Sequence, residues 1–195
     1  MIRRKSALRS GLLHEIRVYG CPELSTASKL PLRAILGQQI TVRAAHTLAG
    51  RFAAAFGEQL ETTHAMLCCV FPSPRVIAAL DPIRLAEQGV VMQRAKAIVG
   101  LAQALVDGKL RLEPHADLEV NLAQLQSISG VGAWTAHYIA MRALRWRDAF
   151  PHADYGVRKA LGGRSAAEVL RHAEQWRPWR AYAVMHLWRS LEEAC

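Results

Sequence analysis

Hydrophobic residues recur along this chain at three- and four-residue spacing, which is the period of amphipathic α-helices. They keep this spacing from Pro31 to Phe56, where proline suits a first helical position and Gly57 suits the end of a helix. A stronger pattern predicts a helix over residues 92–106 that ends before Gly108. No segment of alternating polarity is longer than a few residues, so the pattern predicts an all-α fold.

Helix start signals divide the rest of the chain into further elements. An N-cap residue followed by proline occurs twice, and an S-x-x-E capping box predicts a helix that ends near Trp176. An aspartate also precedes the apolar positions of residues 118–126. The predicted start signals are Ser73-Pro74, Asp81-Pro82, Asp117, and Ser165 with Glu168.

A glycine-containing turn joins two of the predicted helices. Gly130-Val131-Gly132 is followed by apolar or aromatic residues at helical spacing, beginning with Trp134 and Tyr138. Glycine has no Cβ atom to keep a phosphate oxygen away from the backbone, and the first N–H groups of a helix have no partner within it. The turn therefore predicts a helical hairpin that binds an anion, and a DNA phosphate is a candidate.

The formal charge favours a polyanionic partner. The chain has 195 residues and a net charge of +9, with 25 Lys and Arg against 16 Asp and Glu. Binding to phosphates would release counterions from DNA, although charge alone is equally consistent with a protein that is merely basic.

Other classes of protein are not favoured. No apolar run approaches the ~18 to 20 residues that span a bilayer, and the basic N-terminus leads into no signal-like apolar segment. We therefore expect a cytoplasmic protein with no membrane association. The four cysteines have neither metal-ligand spacing nor a disulfide framework, which favours reduced thiols. They are Cys21, Cys68, Cys69 and Cys195.

Four motifs, in order, resemble a known family. SGVGAWTAHYIAMRAL followed by FPHADY resembles the helix-hairpin-helix DNA glycosylase superfamily, and within it the 3-methyladenine DNA glycosylase II family of alkylation repair. LRAILGQQIT, MQRA and WRPWR follow the family's order at similar distances, and together the likeness covers roughly residues 30–191. It implies two helical lobes that flank a DNA-binding cleft.

The resemblance implies a catalytic role for Asp154, which lies 154 − 132 = 22 residues after the second hairpin glycine. Hydrolysis of an N-glycosidic bond develops positive charge on the sugar, and a fixed carboxylate stabilises that charge or acts on the attacking water. Asp154 is also suited to cap the helix that starts at Tyr155, and both roles are compatible.

By position, four aromatic residues match those that line the family's base pocket: Trp134, Tyr138, Tyr155 and Trp188. The negative faces of such rings attract an alkylated, positively charged purine once it leaves the base stack. The implied substrate is therefore double-stranded DNA that contains 3-methyladenine or 7-methylguanine.

In the resembling family, the turn that begins with a Gly-Gln pair faces DNA and inserts a side chain into the base stack. Gln38, Gln39 and Ile40 occupy that turn here, with Gln39 where well-described members have leucine. Two interpretations are open. The amide of Gln39, or Ile40 assisting it, fills the gap that an extruded base leaves in the stack, or Gln38 and Gln39 only satisfy nearby backbone groups. The hairpin residues Gly130, Val131 and Gly132 complete the expected DNA contacts.

The resemblance also bears on chemistry and on cofactors. Superfamily members that cut the strand have a lysine nucleophile where this chain has Trp134, so we expect a monofunctional enzyme that leaves an abasic site. We expect no required cofactor. A Na⁺ or K⁺ ion bridges hairpin carbonyls to a DNA phosphate in the family, and by position these are the carbonyls of Gln126, Ile128 and Val131.

Residues 1–29 are expected to be a basic segment and connector, and residues 30–195 to be the catalytic region. We expect the protein to act as a monomer in the bacterial cytoplasm, where it is associated with the nucleoid through DNA. Longer family members begin with a β-rich domain for which no strand pattern is present. We therefore expect either a compact version or a piece of a fusion, since the GQQITVRAAHTLAGRF segment resembles fusions to alkylation-response regulators. A noncatalytic DNA-binding module of such a regulator is the alternative function.

Overall fold

The computed structural model describes residues 26–61, 69–113 and 116–193. Most of these residues are helical, which confirms the predicted all-α class. Residues 1–25 of the predicted basic segment and connector lie outside the described residues, as do three of the four cysteines, while Cys69 is partly exposed and not in a disulfide. The helices are α1 (Thr26–Leu36), α2 (Val42–Phe56), α3 (Pro74–Ala78), α4 (Pro82–Ala86), α5 (Met92–Val106), α6 (Leu118–Ser127), α7 (Ala133–Arg142), α8 (Tyr155–Ala160), α9 (Ala166–Ala173) and α10 (Arg180–Glu193).

Three short elements complete the described secondary structure. A 3₁₀ helix covers Glu174–Trp176, and strands β1 (Glu58–Gln59) and β2 (Cys69–Val70) pair antiparallel. These strands are only two residues long, too short to give an alternating pattern in the sequence.

The predicted continuous helix from Pro31 to Phe56 is wrong, because the structure divides this segment into α1 and α2. After Leu36 the backbone turns, and Gln39 adopts a φ of 55°, which ends the helix. Thr41 then caps α2 by accepting a hydrogen bond from the N–H of Ala44 at 3.2 Å.

The predicted start of this segment is also wrong. Helix α1 begins at Thr26, so Pro31 lies inside the helix and not at its first position. The expected boundary after residue 29 therefore falls within α1. A proline at this point has no N–H to donate within the helix, and Pro31 is buried.

One contiguous hydrophobic core connects helices along the whole described chain, from Leu32 to Val184. Helix α5 lies at its centre, because α1, α3 and α4 all contact it and Ala95, Ile98 and Leu101 are fully buried. The bounds of α5 are those predicted from the sequence, and its buried residues are Ala95, Ala97, Ile98, Val99, Leu101, Ala102 and Ala104. Because α1 also contacts α7, the turn after α1 is brought next to the hairpin.

Candidate functional site

The glycine turn joins α6 to α7 as the predicted helical hairpin. Asp117 caps α6 by accepting a hydrogen bond from the N–H of Val120 at 3.0 Å. The two glycines have different roles. Gly130 has a φ of +90°, and a Cβ added there would lie 3.1 Å from the Cβ of Ala97 on α5. Gly132 is exposed at the start of α7, and an added Cβ there would meet open space. The first turn of α7 is thus open to an approaching anion.

The turn after α1 is attached to the hairpin by the side chain of Gln38. Its amide nitrogen donates hydrogen bonds to the hydroxyl of Thr135 at 2.8 Å and to the carbonyl of Gly130 at 3.2 Å. Of the interpretations left open for Gln38, satisfaction of nearby polar groups describes these contacts. Gln39 is exposed at the tip of the same turn, next to the hairpin, and Ile40 packs against the core.

Asp154 lies at the N-terminus of α8 and is half-buried. Its Oδ1 atom accepts hydrogen bonds from the N–H of Val157 at 2.8 Å and from the indole of Trp188 at 2.9 Å. Its Oδ2 atom accepts one from the indole of Trp134 at 2.9 Å. Asp154 is therefore the helix cap that its position suggested, and the two indoles also fix the plane of its carboxylate.

Residues far apart in sequence produce this arrangement. Trp134 is in the first turn of α7, directly after the hairpin, and Trp188 is on α10, which packs against α8. The carboxylate of Asp154 therefore lies on the same side of the molecule as the hairpin. Oδ1 has two donors and Oδ2 has one, so Oδ2 keeps more capacity to accept a further hydrogen bond or to face a positive charge.

Three of the four predicted pocket residues form a cluster. The rings of Trp134 and Tyr138 are stacked, with centroids 5.4 Å apart and planes 13° apart, and the ring of Trp188 lies 6.2 Å from that of Tyr138. A purine inserted between two rings needs about 7 Å, twice the usual contact distance. A base therefore cannot enter between Trp134 and Tyr138 as they stand, and only outward-facing ring surfaces are available to it.

Tyr155, the fourth residue that matches the base pocket by position, lies outside this cluster. Its side chain is 78% exposed, and within the described residues its ring contacts none of the other three rings. It lies instead beside Arg158 and Lys159, along a groove of about 420 Å³.

Sequence reasoning missed a nearly buried ion pair that stabilises the segment before Asp154. Arg180, at the start of α10, donates to both carboxylate oxygens of Asp148, at 2.7 and 2.8 Å, and to its backbone carbonyl at 3.1 Å. Arg177 contacts the same carboxylate at 2.6 Å. Both arginines belong to the WRPWR motif, but their partner is about 30 residues away in sequence, so no local pattern could have identified it.

His137 was also missed. It lies on α7, stacks on Trp146 at 5.3 Å, and its Nδ1 atom accepts a hydrogen bond from the N–H of Phe150 at 3.3 Å. Burial lowers the pKa of His137 below its ordinary value of 6.5, and the charges of His152 and Arg180 lower it further, against an opposing effect of Asp148. The neutral form is therefore favoured, and it supports the segment that leads to Asp154.

The predicted ion-binding carbonyls lie at the end of α6 and in the hairpin. The carbonyl of Ile128 accepts a hydrogen bond from the N–H of Val131 at 3.0 Å, which leaves it one lone pair. Gln126 is in the last turn of α6, where carbonyls have no partner within the helix. Carbonyl oxygens with free lone pairs are suitable ligands for a hard monovalent cation. In the described ranges, no group of three or more His, Cys, Asp or Glu side chains could hold a metal ion.

None of the described helices combines the length and the apolar character that are needed to cross a membrane.

Known proteins resemble most of this chain. It is 38% identical over 185 residues to DNA-3-methyladenine glycosylase 2 of Escherichia coli K12, an alignment that covers 95% of this chain and 62% of that protein. It is 41% identical over 175 residues to a probable bifunctional transcriptional activator/DNA repair enzyme AlkA of Mycobacterium tuberculosis, covering 88% of this chain and 35% of that protein. The chain thus spans less than two thirds of either relative.

Solved structures agree on the fold. The structure of a 3-methyladenine DNA-glycosylase from Archaeoglobus fulgidus superimposes with a TM-score of 0.70 and 26% identity, over 83% of this chain and 57% of that one. The model of the HhH-GPD superfamily base excision DNA repair proteins matches residues 32–174, which include the Gln38 turn, the hairpin and Asp154. This chain therefore belongs to the HhH-GPD superfamily of base excision DNA repair proteins.

Proposed function

We propose that this protein is a DNA glycosylase that hydrolyses the N-glycosidic bond of alkylated purines in duplex DNA. The observation that carries the proposal is the carboxylate of Asp154, which two indole N–H groups orient on the hairpin side of the molecule. The name of the E. coli relative, DNA-3-methyladenine glycosylase 2, supports this substrate class at 38% identity.

Asp154 stabilises the positive charge that develops on the sugar as the base departs. A preorganised negative group is most effective where water is scarce, and a half-buried carboxylate with fixed orientation meets this requirement. Oδ2 is the oxygen that faces the sugar or orients the attacking water, because Oδ1 already accepts two hydrogen bonds.

The extruded base binds an outward face of the cluster formed by Trp134, Tyr138 and Trp188. A purine with a delocalised positive charge is attracted to an aromatic face by ~0.5 to 2 kcal/mol, depending on desolvation. This attraction favours cationic lesions such as 3-methyladenine and 7-methylguanine, which also leave readily. Few base-specific hydrogen bonds are then required.

The enzyme is monofunctional and leaves an abasic site. A strand-cutting mechanism needs an amine that attacks the sugar, and Trp134 occupies the position where strand-cutting members of the superfamily have that lysine. Borohydride treatment during the reaction should therefore trap no covalent adduct between protein and DNA.

The carbonyls of Gln126, Ile128 and Val131 would hold a Na⁺ or K⁺ ion, which would supply positive charge for a DNA phosphate, and we propose no other cofactor. Its fit rests on the free acceptor capacity of these carbonyls. Replacing K⁺ by a bulky tetraalkylammonium ion at constant ionic strength should weaken DNA binding. Equal affinity in the two salts would contradict the ion site.

The partner is double-stranded DNA in the bacterial cytoplasm, and the protein acts as a monomer. The net charge of +9 and the open hairpin support a DNA partner, and both relatives described above are bacterial.

The direct test is release of bases from methylated DNA by the wild type and by Asp154→Asn, measured by chromatography. The wild type should release alkylated purines and the variant should not. A protein that binds DNA but releases no base before mutation would instead be a noncatalytic DNA-binding module of an alkylation-response regulator.

A further inference from the structure

A basic groove follows Asp154 on helix α8. It is lined by Tyr155, Arg158, Lys159, Gly162 and Gly163, and has a volume of about 420 Å³. The spacing of Tyr155, Arg158 and Lys159 places all three on one side of the helix. The two glycines continue this side beyond the end of the helix.

The groove is strongly positive. Residues 155–167 contain three cationic side chains, those of Arg158, Lys159 and Arg164, and no acidic residue. Lys159 and Arg164 are exposed. Arg158 is half-buried, and its Nε atom donates to the carbonyl of Arg164 at 3.0 Å, which orients the guanidinium. An anion that enters would therefore meet one oriented and one exposed cation.

The glycines keep one wall of the groove open. Gly162 and Gly163 have φ values of +74° and +76°, and a Cβ added to either would meet no atom within 4 Å. Their N–H groups close the end of α8 by donating to the carbonyls of Lys159 and Arg158. The side chains, and not this backbone, must therefore bind the anion.

The groove lies at the right distance from Asp154 to receive the same DNA strand. Lys159 follows Asp154 by five residues, which is about 7.5 Å along a helix axis. A few nucleotides of one strand span such a separation, since successive phosphates advance by about 3.4 Å along the DNA axis.

We propose that the groove formed by Tyr155, Arg158, Lys159, Gly162 and Gly163 binds the phosphate backbone of DNA beside the extruded nucleotide. Tyr155 belongs to this backbone contact and not to the base pocket, which accounts for its 78% exposure. Tyrosine hydroxyls contact phosphate oxygens in many complexes, and such contacts fix the register of the protein on the duplex. This inference rests on the proposed function for its partner.

The first test measures affinity and its salt dependence for Lys159→Ala, with an undamaged duplex and with one that contains a stable abasic-site analogue. Loss of one phosphate contact should weaken binding to both duplexes by the same factor, about threefold to tenfold, and reduce the slope of log K against log salt by about 0.9. Lys109→Ala is the matched control, because Lys109 is exposed at the far end of α5 from the hairpin. A slope for Lys159→Ala equal to that of the control would overturn the proposal, and would leave an acidic protein as the occupant of the groove.

The second test separates the two roles of Tyr155. The abasic analogue has no base to stack, so a backbone contact predicts that Tyr155→Ala weakens binding to it as much as to undamaged duplex. Undiminished affinity for the abasic duplex would assign Tyr155 to the base and contradict the groove. Both readouts are independent of base release. A protein that binds in this way but releases no base would therefore refute the enzymatic activity alone.

Discussion

The indole N–H of Trp134 lies 2.9 Å from the Oδ2 atom of Asp154. Trp134 belongs to the first turn after the hairpin glycines, so this contact connects the DNA-binding element to the proposed catalytic group. A movement of the hairpin would therefore also move the indole N–H group that orients the carboxylate. The tryptophan therefore has a function at its ring edge in addition to any function of its ring face.

Replacement of Trp134 by phenylalanine should separate these functions. Phenylalanine keeps an aromatic face but has no N–H donor, and a hydrogen bond to a charged group contributes ~1.5 to 3 kcal/mol. We expect base release in single turnover to fall about tenfold or more while DNA affinity changes little.

The matched control is Trp179→Phe, since Trp179 is 49% exposed and its ring packs against Arg147. Its base release should equal that of the wild type. If Trp134→Phe also retained the full rate, the orienting role of the indole N–H would be wrong.

Gln39 adopts a φ of 55°, a conformation that costs a non-glycine residue about 1 to 2 kcal/mol. Gln39→Gly should remove this strain, which is offset in part by the greater freedom of glycine in the unfolded chain, about 0.4 to 1 kcal/mol. The free energy of unfolding should therefore stay the same or rise slightly. If the side chain fills the gap left by an extruded base, the preference for lesion-containing over undamaged duplex should nevertheless fall.

Arg145→Gly provides the comparison, because Arg145 also has a φ of 55° but follows the end of α7 that is remote from the hairpin. It should show a similar stability change in urea unfolding with no change in lesion preference. Unaltered preference in both variants would leave Gln39 without a role in base extrusion.

Stability should decrease at acidic pH because of His137. Burial lowers its pKa in the folded protein below the ordinary value of 6.5, so the unfolded chain binds a proton more readily. The stabilising contribution is complete above about pH 6.5 and is lost as the pH falls toward the folded pKa. Protonation would also remove the Nδ1 acceptor used by the N–H of Phe150.

Unfolding midpoints in urea, measured between pH 7.5 and 5 for the wild type and His137→Asn, test this expectation. The asparagine oxygen can accept a hydrogen bond but does not titrate in this range, so the variant should lose less stability on acidification. Parallel pH profiles of the two proteins would assign the acid sensitivity to other groups.

The ion pair between Asp148 and Arg180 should be essential for folding stability. Arg180 is 5% exposed, and removal of its main partner leaves a nearly buried charge poorly compensated. We expect Asp148→Ala to lower the free energy of unfolding by about 3 kcal/mol. Asp107→Ala, which breaks an exposed pair with Lys109, should change it by less than about 1 kcal/mol.

The double variant Asp148→Leu with Arg180→Met provides a further check. Replacing both charges by apolar groups removes the penalty of an unpaired charge, so it should be more stable than Asp148→Ala. A double variant as unstable as the sum of the two single losses would show that Asp148 and Arg180 contribute independently, and would contradict this account.

Local signals in the sequence predicted local structure well. Ser73, Asp81 and Asp117 cap the helices that follow them, and Ser165 with Glu168 forms the predicted capping box. Each of these contacts joins residues within three positions of one another. The hairpin was predictable for the same reason, since Gly130 and Gly132 mark the turn directly.

Contacts between distant residues were not predictable in the same way. The break after α1 depends on Gln38 reaching Gly130 and Thr135, more than 90 residues away, while the local apolar spacing continues across the break. The indole contacts to Asp154 come from 20 and 34 residues away in sequence. A family resemblance placed these side chains in one site, but only the structure gives their hydrogen bonds.

Tyr155 shows the limit of transferring a role by position. It follows Asp154 directly and matches a pocket position in the resembling family, yet consecutive residues at the start of a helix point in directions about 100° apart. The structure orients Asp154 toward Trp134 and leaves Tyr155 in solvent beside Lys159.

The central claim is that the Asp154 carboxylate acts on the sugar during hydrolysis. Asp154→Asn is the most direct variant, because asparagine retains an oxygen for the N–H of Val157 and is an equally good helix cap. The measurement is single-turnover release of 7-methylguanine from a duplex of defined sequence, with DNA affinity determined for the same samples. We predict a loss of base release of at least a hundredfold with affinity within about threefold of the wild type. Base release by Asp154→Asn at the wild-type rate would contradict the account.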